Sequence, residues 1–367
     1  MSTATQGAVT PSTVKVFDEA RATAFAERTM QRLVDAGVSM MLSIGHRTGL
    51  FDAMSTLEPS TSQEIAQAAN LNERYVREWL GCMTSSGIVE YDPKTRTYSL
   101  PTEHAAFLTR AASPNNLAQV MQFISVLGGV EDKIVDCFKN GGGIGYHCFC
   151  RFHDVMAEES AQTVVAALDE HLLPLAPDMV EKLRAGCDVL DLGCGKGRAV
   201  IAMAQMFPKS RFVGWDFEQP AIDAANREAR ERGLTNVRFD VRDAEKINET
   251  AAFDVIFTFD AVHDQKRPDV MLANIRRALR VGGVYFMQDI KASSHVEKNI
   301  ENPIAPFIYT ISCMHCMTVS LSQGGMGLGA AWGRELAETM LVGAGFPTPE
   351  VHELAHDPMN YYYIMRV

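Results

Sequence analysis

The chain has 367 residues, 47% of them hydrophobic, which is enough for two domains with sizeable cores. Its 34 basic and 45 acidic side chains give a formal net charge of −11, which disfavours binding to nucleic acid or to anionic lipid. No apolar run is long enough to span a bilayer, and eight cysteines without a secretory signal pattern indicate reduced thiols. These features predict a cytoplasmic protein that has neither nucleic acid nor a membrane as its partner.

The N-terminal third of the sequence predicts a disordered tail followed by a mainly helical domain. Residues 1–15 are rich in Ser and Thr, whereas residues 16–45 carry apolar side chains at the spacing of one or two amphipathic helices. Thr61 and Glu64 form a capping box, an apolar stripe follows Asn72 at steps of three and four, and two β-rich runs then flank an Asp-Pro turn. The order helix, turn, helix, β-hairpin is the winged-helix pattern.

A winged helix can bind DNA, but the charges of this one favour a different role. Residues 61–99 contain four basic side chains against five acidic ones, so the segment has a net charge of −1. Such a segment binds phosphates poorly. The leading amphipathic helices also need an apolar partner, so residues 16–110 are expected to form the interface of a homodimer.

The rest of the chain predicts linking helices and then an α/β domain. Helical patterns on both sides of a glycine-rich run, residues 141–145, indicate linking helices and a substrate lid over residues 111–183. Over residues 184–367, short apolar runs alternate with helical patterns, which is typical of a doubly wound, Rossmann-like domain with a mostly parallel sheet. The five expected strands cover residues 188–192, 211–215, 236–241, 254–259 and 283–290.

The first of these strands runs into a glycine turn whose surroundings indicate a cationic ligand. Asp191 precedes the pattern G-x-G-x-G, and Arg198 stands where a dinucleotide-binding fingerprint has its third glycine. Asp216 ends the next strand, where it can accept hydrogen bonds from both hydroxyls of a ribose. The third and fourth strands also end in acids, Asp243 and Asp260. Four acids at one sheet edge suit an adenosine ligand with a positive charge better than NAD, whose pyrophosphate they would repel.

Through residues 190–197 and the acid at Asp216, the sequence resembles the class I S-adenosylmethionine (SAM)-dependent methyltransferases. The resemblance implies that SAM is the cofactor, and it implies a role for each residue of the sheet edge. In that arrangement the methionine part is held by Asp191, Gly193, Cys194 and Gly195, the ribose by Asp216, the adenine by Phe217, Asp243 and Ala244, and the sulfonium lies near Asp260.

The winged helix and the segment from His263 to Gly283 resemble the small-molecule O-methyltransferases that have an N-terminal dimerisation domain. In that family a His-Asp pair after the fourth strand supplies the general base, and His263 with Asp264 occupies that place; a histidine can take up a proton at neutral pH. Asp289 matches the acid that orients the base, but residues 327–331 stand where the family has a second acid. The alternative is that His263 only caps a helix or contacts the edge of the cofactor.

An aromatic and thiol-rich segment before the α/β domain supplies candidate pocket walls. We predict substrate contacts for Tyr146, Cys148, Cys150, His153 and Cys316. The spacing of the pairs Cys148/Cys150 and Cys313/Cys316 would also permit a four-thiolate zinc site, or a transient disulfide, if the two loops meet. Because such cysteines are more often small buried apolar residues, no metal is predicted.

Together these patterns predict a methyltransferase that moves a methyl group from SAM to an oxygen or a sulfur of a small-molecule acceptor. Alignment and desolvation of the reacting atoms would supply most of the rate. A thiol needs less help from a base than an alcohol, because its pKa of about 8.5 leaves it partly ionised at pH 7. The alternative is a SAM-sensing regulatory protein whose winged helix binds DNA or a partner.

Overall fold

The computed structural model describes residues 17–367, and its N-terminal part is a helical winged-helix domain. The predicted tail, residues 1–15, lies outside the described residues. A single long helix, α1 (Glu19–Thr48), begins at Asp18, whose side chain accepts a hydrogen bond from the backbone of Arg21. The remaining elements are α2 (Leu50–Met54), α3 (Ser62–Ala68), α4 (Glu73–Ser85), the wing strands β1 (Glu90–Asp92) and β2 (Thr97–Ser99), and α5 (Thr102–Leu108). Thr61 and Glu64 form the predicted capping box at the start of α3.

The linking region is more broken than the sequence pattern predicts. Its helices are α6 (Leu117–Val120), α7 (Gln122–Gly128), α8 (Glu131–Asn140), α9 (Phe152–Ser160) and α10 (Pro177–Ala185). Within the predicted linking helices, the segment between α9 and α10 consists of π-helical turns at Ala161–Val165 and Leu168–Leu172 and a 3₁₀ turn at Leu173–Leu175. Pro174 within the last turn has no backbone N–H to donate, and Pro177 starts a new helix, which explains the break.

Seven strands form the sheet of the C-terminal domain. They are β3 (Asp188–Leu192), β4 (Arg211–Asp216), β5 (Val237–Val241), β6 (Phe253–Phe259), β7 (Leu279–Ile290), β8 (Glu350–Leu354) and β9 (Asp357–Arg366). Their order is β5-β4-β3-β6-β7-β9-β8; β3 to β7 are mutually parallel, and β9 runs antiparallel between β7 and β8. The α/β fold class is confirmed, and the five predicted strands are the parallel ones.

Helices cover both faces of this sheet and leave its carboxyl edge free for a site. They are α11 (Arg198–Met206), α12 (Gln219–Glu231), α13 (Pro268–Ala278), α14 (Val296–Asn299), α15 (Ala305–Ile311), α16 (Met317–Ser322) and α17 (Gly333–Gly343), with a π-helical turn, Ser312–Cys316, between α15 and α16. One apolar core packs α10, α11 and α12 on the sheet, and the other packs α13 and α17 on the opposite face. Among the described residues, no helix combines the length and the apolarity that crossing a membrane requires.

Candidate active site

The glycine turn between β3 and α11 forms one wall of a cavity at the carboxyl edge of the sheet. Its three glycines have positive φ angles, +80° at Gly193, +52° at Gly195 and +70° at Gly197, which residues with a Cβ rarely adopt. A Cβ at Gly197 would lie 2.4 Å from the ring of Phe239, so the backbone must pack closely there. A Cβ at Gly195 would meet nothing within 4 Å, so the turn faces open space that a ligand can fill.

Asp216, at the end of β4, is held against this turn. Its Oδ2 accepts a hydrogen bond of 2.9 Å from the backbone N–H of Gly195, and its Oδ1 accepts one of 3.0 Å from the N–H of Glu218. These bonds orient the carboxylate, and each oxygen keeps a second lone pair for a ligand. The neighbouring ring of Phe217 is 41% exposed and lines the cavity, so it offers a stacking surface for a flat base.

Two further acids line the cavity with buried oxygen atoms that accept no hydrogen bond. Oδ1 of Asp191 and Oδ1 of Asp260 are both buried and accept no hydrogen bond. Burial, reinforced by the charge of Asp216, raises the pKa of Asp191 to about 8. Burial also raises the pKa of Asp260 to about 7, although the positive charge of His263 acts in the opposite direction. Oδ1 of Asp260 lies 3.7 Å from Nδ1 of His263, whereas Asp191 has no cation beside it among the described residues. Because buried carboxylates without hydrogen bonds are costly, the cavity suits a positively charged ligand such as SAM.

The predicted cofactor residues all lie around one cavity of about 270 Å³. Its lining includes Asp191, Gly193, Cys194, Gly195, Asp216, Phe217, Asp243, Ala244 and Asp260, together with Tyr146 and His153 from the lid. The volume is just below the roughly 300 to 1,000 Å³ that is typical of small-molecule pockets. The structure therefore brings together every predicted cofactor residue and two of the five predicted substrate residues.

His263 lies beside this cavity in a buried pair with Asp289, which ends β7. Nδ1 of His263 donates a hydrogen bond of 2.8 Å to Oδ1 of Asp289, so Nε2 is the nitrogen that faces away from the carboxylate. Burial acts to lower the pKa of His263, but Asp289 and the adjacent Cys316 outweigh it and raise this pKa well above its ordinary value. The pairing has the geometry of a base that a carboxylate holds in one orientation.

Trp332 is part of this site although the sequence pattern did not predict it. Its indole Nε1 donates a hydrogen bond of 2.9 Å to the same Oδ1 of Asp289, which also accepts one of 2.8 Å from the N–H of Ile290. Trp332 directly follows residues 327–331, where the related O-methyltransferases have a second acid. In this protein the neutral indole of Trp332 fixes the carboxylate of Asp289 by a hydrogen bond, and it adds no negative charge to the site.

Tyr146 closes the cavity from the side of the lid. Its hydroxyl donates a hydrogen bond to Oδ2 of Asp264, and its ring centroid lies 5.3 Å from that of Phe217 and 5.6 Å from that of His153. Burial, the charge of Asp264 and this hydrogen bond raise the pKa of the tyrosine well above its ordinary value. The phenol therefore stays neutral beside the acids of the site.

The predicted substrate cysteines lie outside the cavity lining. Cys148 points toward Lys133, with 3.1 Å between Sγ and Nζ, Cys150 is exposed, and Cys316 is buried against His263. All eight cysteines are free, and within residues 17–367 the two pairs do not assemble a four-thiolate set. The single group of three ligand-type side chains in that range, with ligand atoms within 4.8 Å of one another, is Asp260, His263 and Asp289. Within this group His263 and Asp289 already share a hydrogen bond. That the protein needs no metal stays a prediction.

Comparison with known families agrees with this architecture. Residues 36–110 match the Rv2258c-like winged HTH domain, and residues 183–338 match a family described as a methyltransferase domain. The chain carries a class I SAM-dependent methyltransferase domain. The prediction of a methyltransferase is thereby confirmed at the level of this domain family.

The curated relatives match only part of this chain, and only part of their own sequences takes part in the match. The tRNA (guanine-N(7)-)-methyltransferase of Shewanella halifaxensis is 30% identical over 127 residues, which is 31% of this chain and 54% of that protein. The chain thus spans about half the length of the relative that it matches.

Solved structures share the two-domain fold over nearly the whole chain. Human N-acetylserotonin methyltransferase, in complex with SAM, is 14% identical with a TM-score of 0.64 and covers 96% of this chain and 99% of its own. The mitomycin 7-O-methyltransferase MmcR is 16% identical with a TM-score of 0.65, over 95% of this chain and 100% of its own. At these identities the likeness establishes the fold: a winged-helix domain and a methyltransferase domain arranged as in small-molecule O-methyltransferases.

Proposed function

We propose that the protein methylates an oxygen atom of a small molecule and that His263 is the general base. The observation that carries this proposal is the buried pair of His263 and Asp289 beside a cavity with unpaired carboxylates. The pair lies at the ends of two adjacent parallel strands, where α/β folds of this type place their reacting groups. No other buried histidine–carboxylate hydrogen bond lines this sheet edge in the part of the chain that the structure describes.

The cavity residues have separate tasks toward the cofactor. SAM supplies an electrophilic methyl group on a positively charged sulfur. Asp191 and Asp260 would neutralise the positive charges of the bound ligand with their unpaired oxygens, and Asp216 would accept hydrogen bonds from the ribose hydroxyls. Phe217 would stack on the adenine.

His263 would remove the proton of the acceptor hydroxyl. With SAM held by Asp191, Asp216 and Asp260, its methyl group would be the electrophile for the acceptor oxygen, and His263 would take up the hydroxyl proton at Nε2. In the ligand-free protein, despite burial, Asp289 raises the pKa of His263 and so favours its protonated form. A positive charge bound beside Asp260 lowers that pKa, because it disfavours a second cation nearby, so cofactor binding prepares the base.

A sulfur acceptor is the second candidate. The observation that favours it is the thiol of Cys316, which places a sulfur atom against His263. A thiol acceptor would depend less on His263, because part of it is already ionised at neutral pH.

Nucleic-acid acceptors and a DNA-binding role have less support. In α4, Arg77 is paired with Glu73 at 2.7 Å and Arg74 with Glu78, so two of the few cations of the winged helix are already engaged. The net charge of −11 also opposes a tRNA acceptor of the kind that is named for the curated relatives. We therefore propose a small-molecule acceptor.

The proposal is tested with SAM that carries a labelled methyl group and a panel of phenols, alcohols, carboxylates, amines and thiols. We expect the label to appear on hydroxylated compounds, with S-adenosylhomocysteine (SAH) formed in equal amount. Transfer to thiols alone would support the sulfur alternative. Tight SAM binding without transfer, together with salt-sensitive binding to a random DNA duplex, would favour the regulatory protein instead.

A further inference from the structure

His315 is a buried histidine that has no role in the proposed methyl transfer. It is 1% exposed, and neither of its ring nitrogens has a hydrogen-bond partner. Buried polar groups in folded proteins are nearly always hydrogen-bonded, because an unpaired one destabilises the fold. Two unpaired nitrogens on one ring therefore indicate a partner that the free protein does not supply.

The ring of His315 is held rigidly by aromatic neighbours. It stacks on Phe152 with centroids 3.5 Å apart and planes inclined by 14°, and it meets Phe149 edge-on at 4.6 Å. It lies on the π-helical turn Ser312–Cys316, a type of turn that is frequent at functional sites. Burial, together with the positive charges of His263 and His153, lowers the pKa of His315 well below its ordinary value, so its ring offers one donor and one acceptor nitrogen.

Tyr146 occupies the space between His315 and the cofactor cavity. Its ring centroid lies 5.4 Å from that of His315 and 5.3 Å from that of Phe217, and its hydroxyl bonds to Asp264. The glycine run that precedes it has φ angles of +71° at Gly141 and +82° at Gly142, which give this lid segment conformations that other residues rarely adopt. The protein thus places a phenol of its own beside both the cavity and the base, and an acceptor ring that displaces it would gain the same aromatic neighbours.

From this geometry we infer that His315 anchors the acceptor, and that the acceptor is a flat aromatic ring with two polar substituents. One substituent is the hydroxyl that His263 deprotonates, and the other is an oxygen that hydrogen-bonds to a ring nitrogen of His315. This inference rests on the proposed function and specifies its substrate class. An aromatic acceptor that lacks the second oxygen leaves the nitrogens of His315 unpaired and is discriminated against for that reason.

The test compares two probes that differ by one hydroxyl, 2,3-dihydroxynaphthalene and 2-naphthol. Each is titrated calorimetrically into the full-length protein saturated with SAH, so that binding is measured without turnover. The parent is expected to bind the dihydroxy probe about tenfold more tightly, as one additional hydrogen bond predicts. His315→Phe keeps a ring on Phe152 but removes both nitrogens, so it should lose that preference, bind 2-naphthol within about twofold of the parent, and raise Tm by about 2 °C.

Two further variants separate recognition from structure. His315→Gln restores a hydrogen-bonding group and should recover part of the preference for the dihydroxy probe. His356→Phe makes the same change in a histidine that stacks on His171 at 4.4 Å and lies outside the cavity lining, and it should leave both affinities unchanged. The inference is overturned if the parent binds both probes equally or neither of them, or if His315→Phe weakens both alike and lowers Tm. Loss of SAH binding by the parent would instead contradict the proposed function.

Discussion

Two regions of this protein differ in the kind of contact that they lack: one lacks polar contacts and the other lacks apolar contacts. At the sheet edge of the methyltransferase domain, three acids each have one buried carboxylate oxygen that accepts no hydrogen bond: Asp191, Asp260 and Asp289. Helix α1 instead presents large apolar side chains to solvent, each at least 42% exposed: Phe25, Met30, Leu33, Val34, Met40 and Ile44. The first deficit suits a small cationic ligand, and the second suits another protein surface, so the kind of missing contact indicates the kind of partner.

Only the C-terminal part of α1 packs on its own domain, where its buried residues are Ser43, Gly45 and His46. One face of this part packs Val38, Met41 and Leu42 on the winged-helix core, and the indole of Trp79 donates a hydrogen bond of 2.8 Å to the carbonyl of Met41. The helix is therefore anchored at its C-terminal end, while the exposed apolar side chains along the rest of it are left for a partner. We propose that this partner is α1 of a second copy, as the sequence predicts.

The largest effect is expected at the sheet edge, from His263→Ala. Loss of a positioned base should lower turnover on a hydroxyl acceptor by about 10²- to 10⁴-fold. Despite burial, Asp289 raises the pKa of His263 in the ligand-free protein. Since the base must be neutral, the rate of the parent should rise with pH through the pKa that His263 has in the SAM-bound protein, and the variant should lose this rise. The measurement is the pH profile of turnover, with SAM affinity measured separately in both proteins. Unchanged turnover at every pH would remove His263 from the mechanism.

The next largest effect is expected from Asp216→Ala. Removing the acceptor of two ribose hydroxyls, and with it the hydrogen bond from Gly195, should weaken SAM binding by about 100-fold. The matched control is Asp240→Ala, which makes the same change on the neighbouring strand β5 at a carboxylate outside the cavity lining. Calorimetric titration with SAM measures both, and full affinity in Asp216→Ala would contradict its role toward the ribose.

The proposed dimer interface on α1 is tested by Leu33→Glu. A buried glutamate in a dimer interface is costly, so this variant should be a monomer of 40.4 kDa where the parent has twice that mass. Light scattering at micromolar concentration distinguishes the two states. Val281→Glu changes an equally apolar residue that is 97% exposed and lies in β7, away from α1, and it should leave the dimer intact. A parent that is already monomeric would contradict the proposed interface.

The smallest effect is a pH dependence of cofactor binding. With pKa values of about 7 for Asp260 and about 8 for Asp191, both acids lose protons between pH 6 and 9, and their ionised forms attract a cation. SAM affinity should therefore rise a few-fold with pH across this range, and the affinity of SAH, whose sulfur is neutral, should rise less. Calorimetry at several pH values gives both curves, and Asp260→Asn should bring them closer together. Parallel curves in the parent would show that Asp260 does not face the sulfur.

Local sequence patterns were sufficient for the fold class and for the cofactor side of the site. The glycine turn follows an apolar strand, and the acids Asp191, Asp216, Asp243 and Asp260 each lie within two residues of the end of one. Parallel strands bring such positions to one edge whatever the details of packing. Contacts between distant elements had no such signal. The bond from Trp332 to Asp289 spans 43 residues and the one from Tyr146 to Asp264 spans 118. These contacts depend on how the lid and the last helices pack on the sheet. The same is true of the ring of His315, which has no hydrogen-bond partner, and of Cys148, which lies outside the cavity. The periodicity of apolar residues carries no information about such packing.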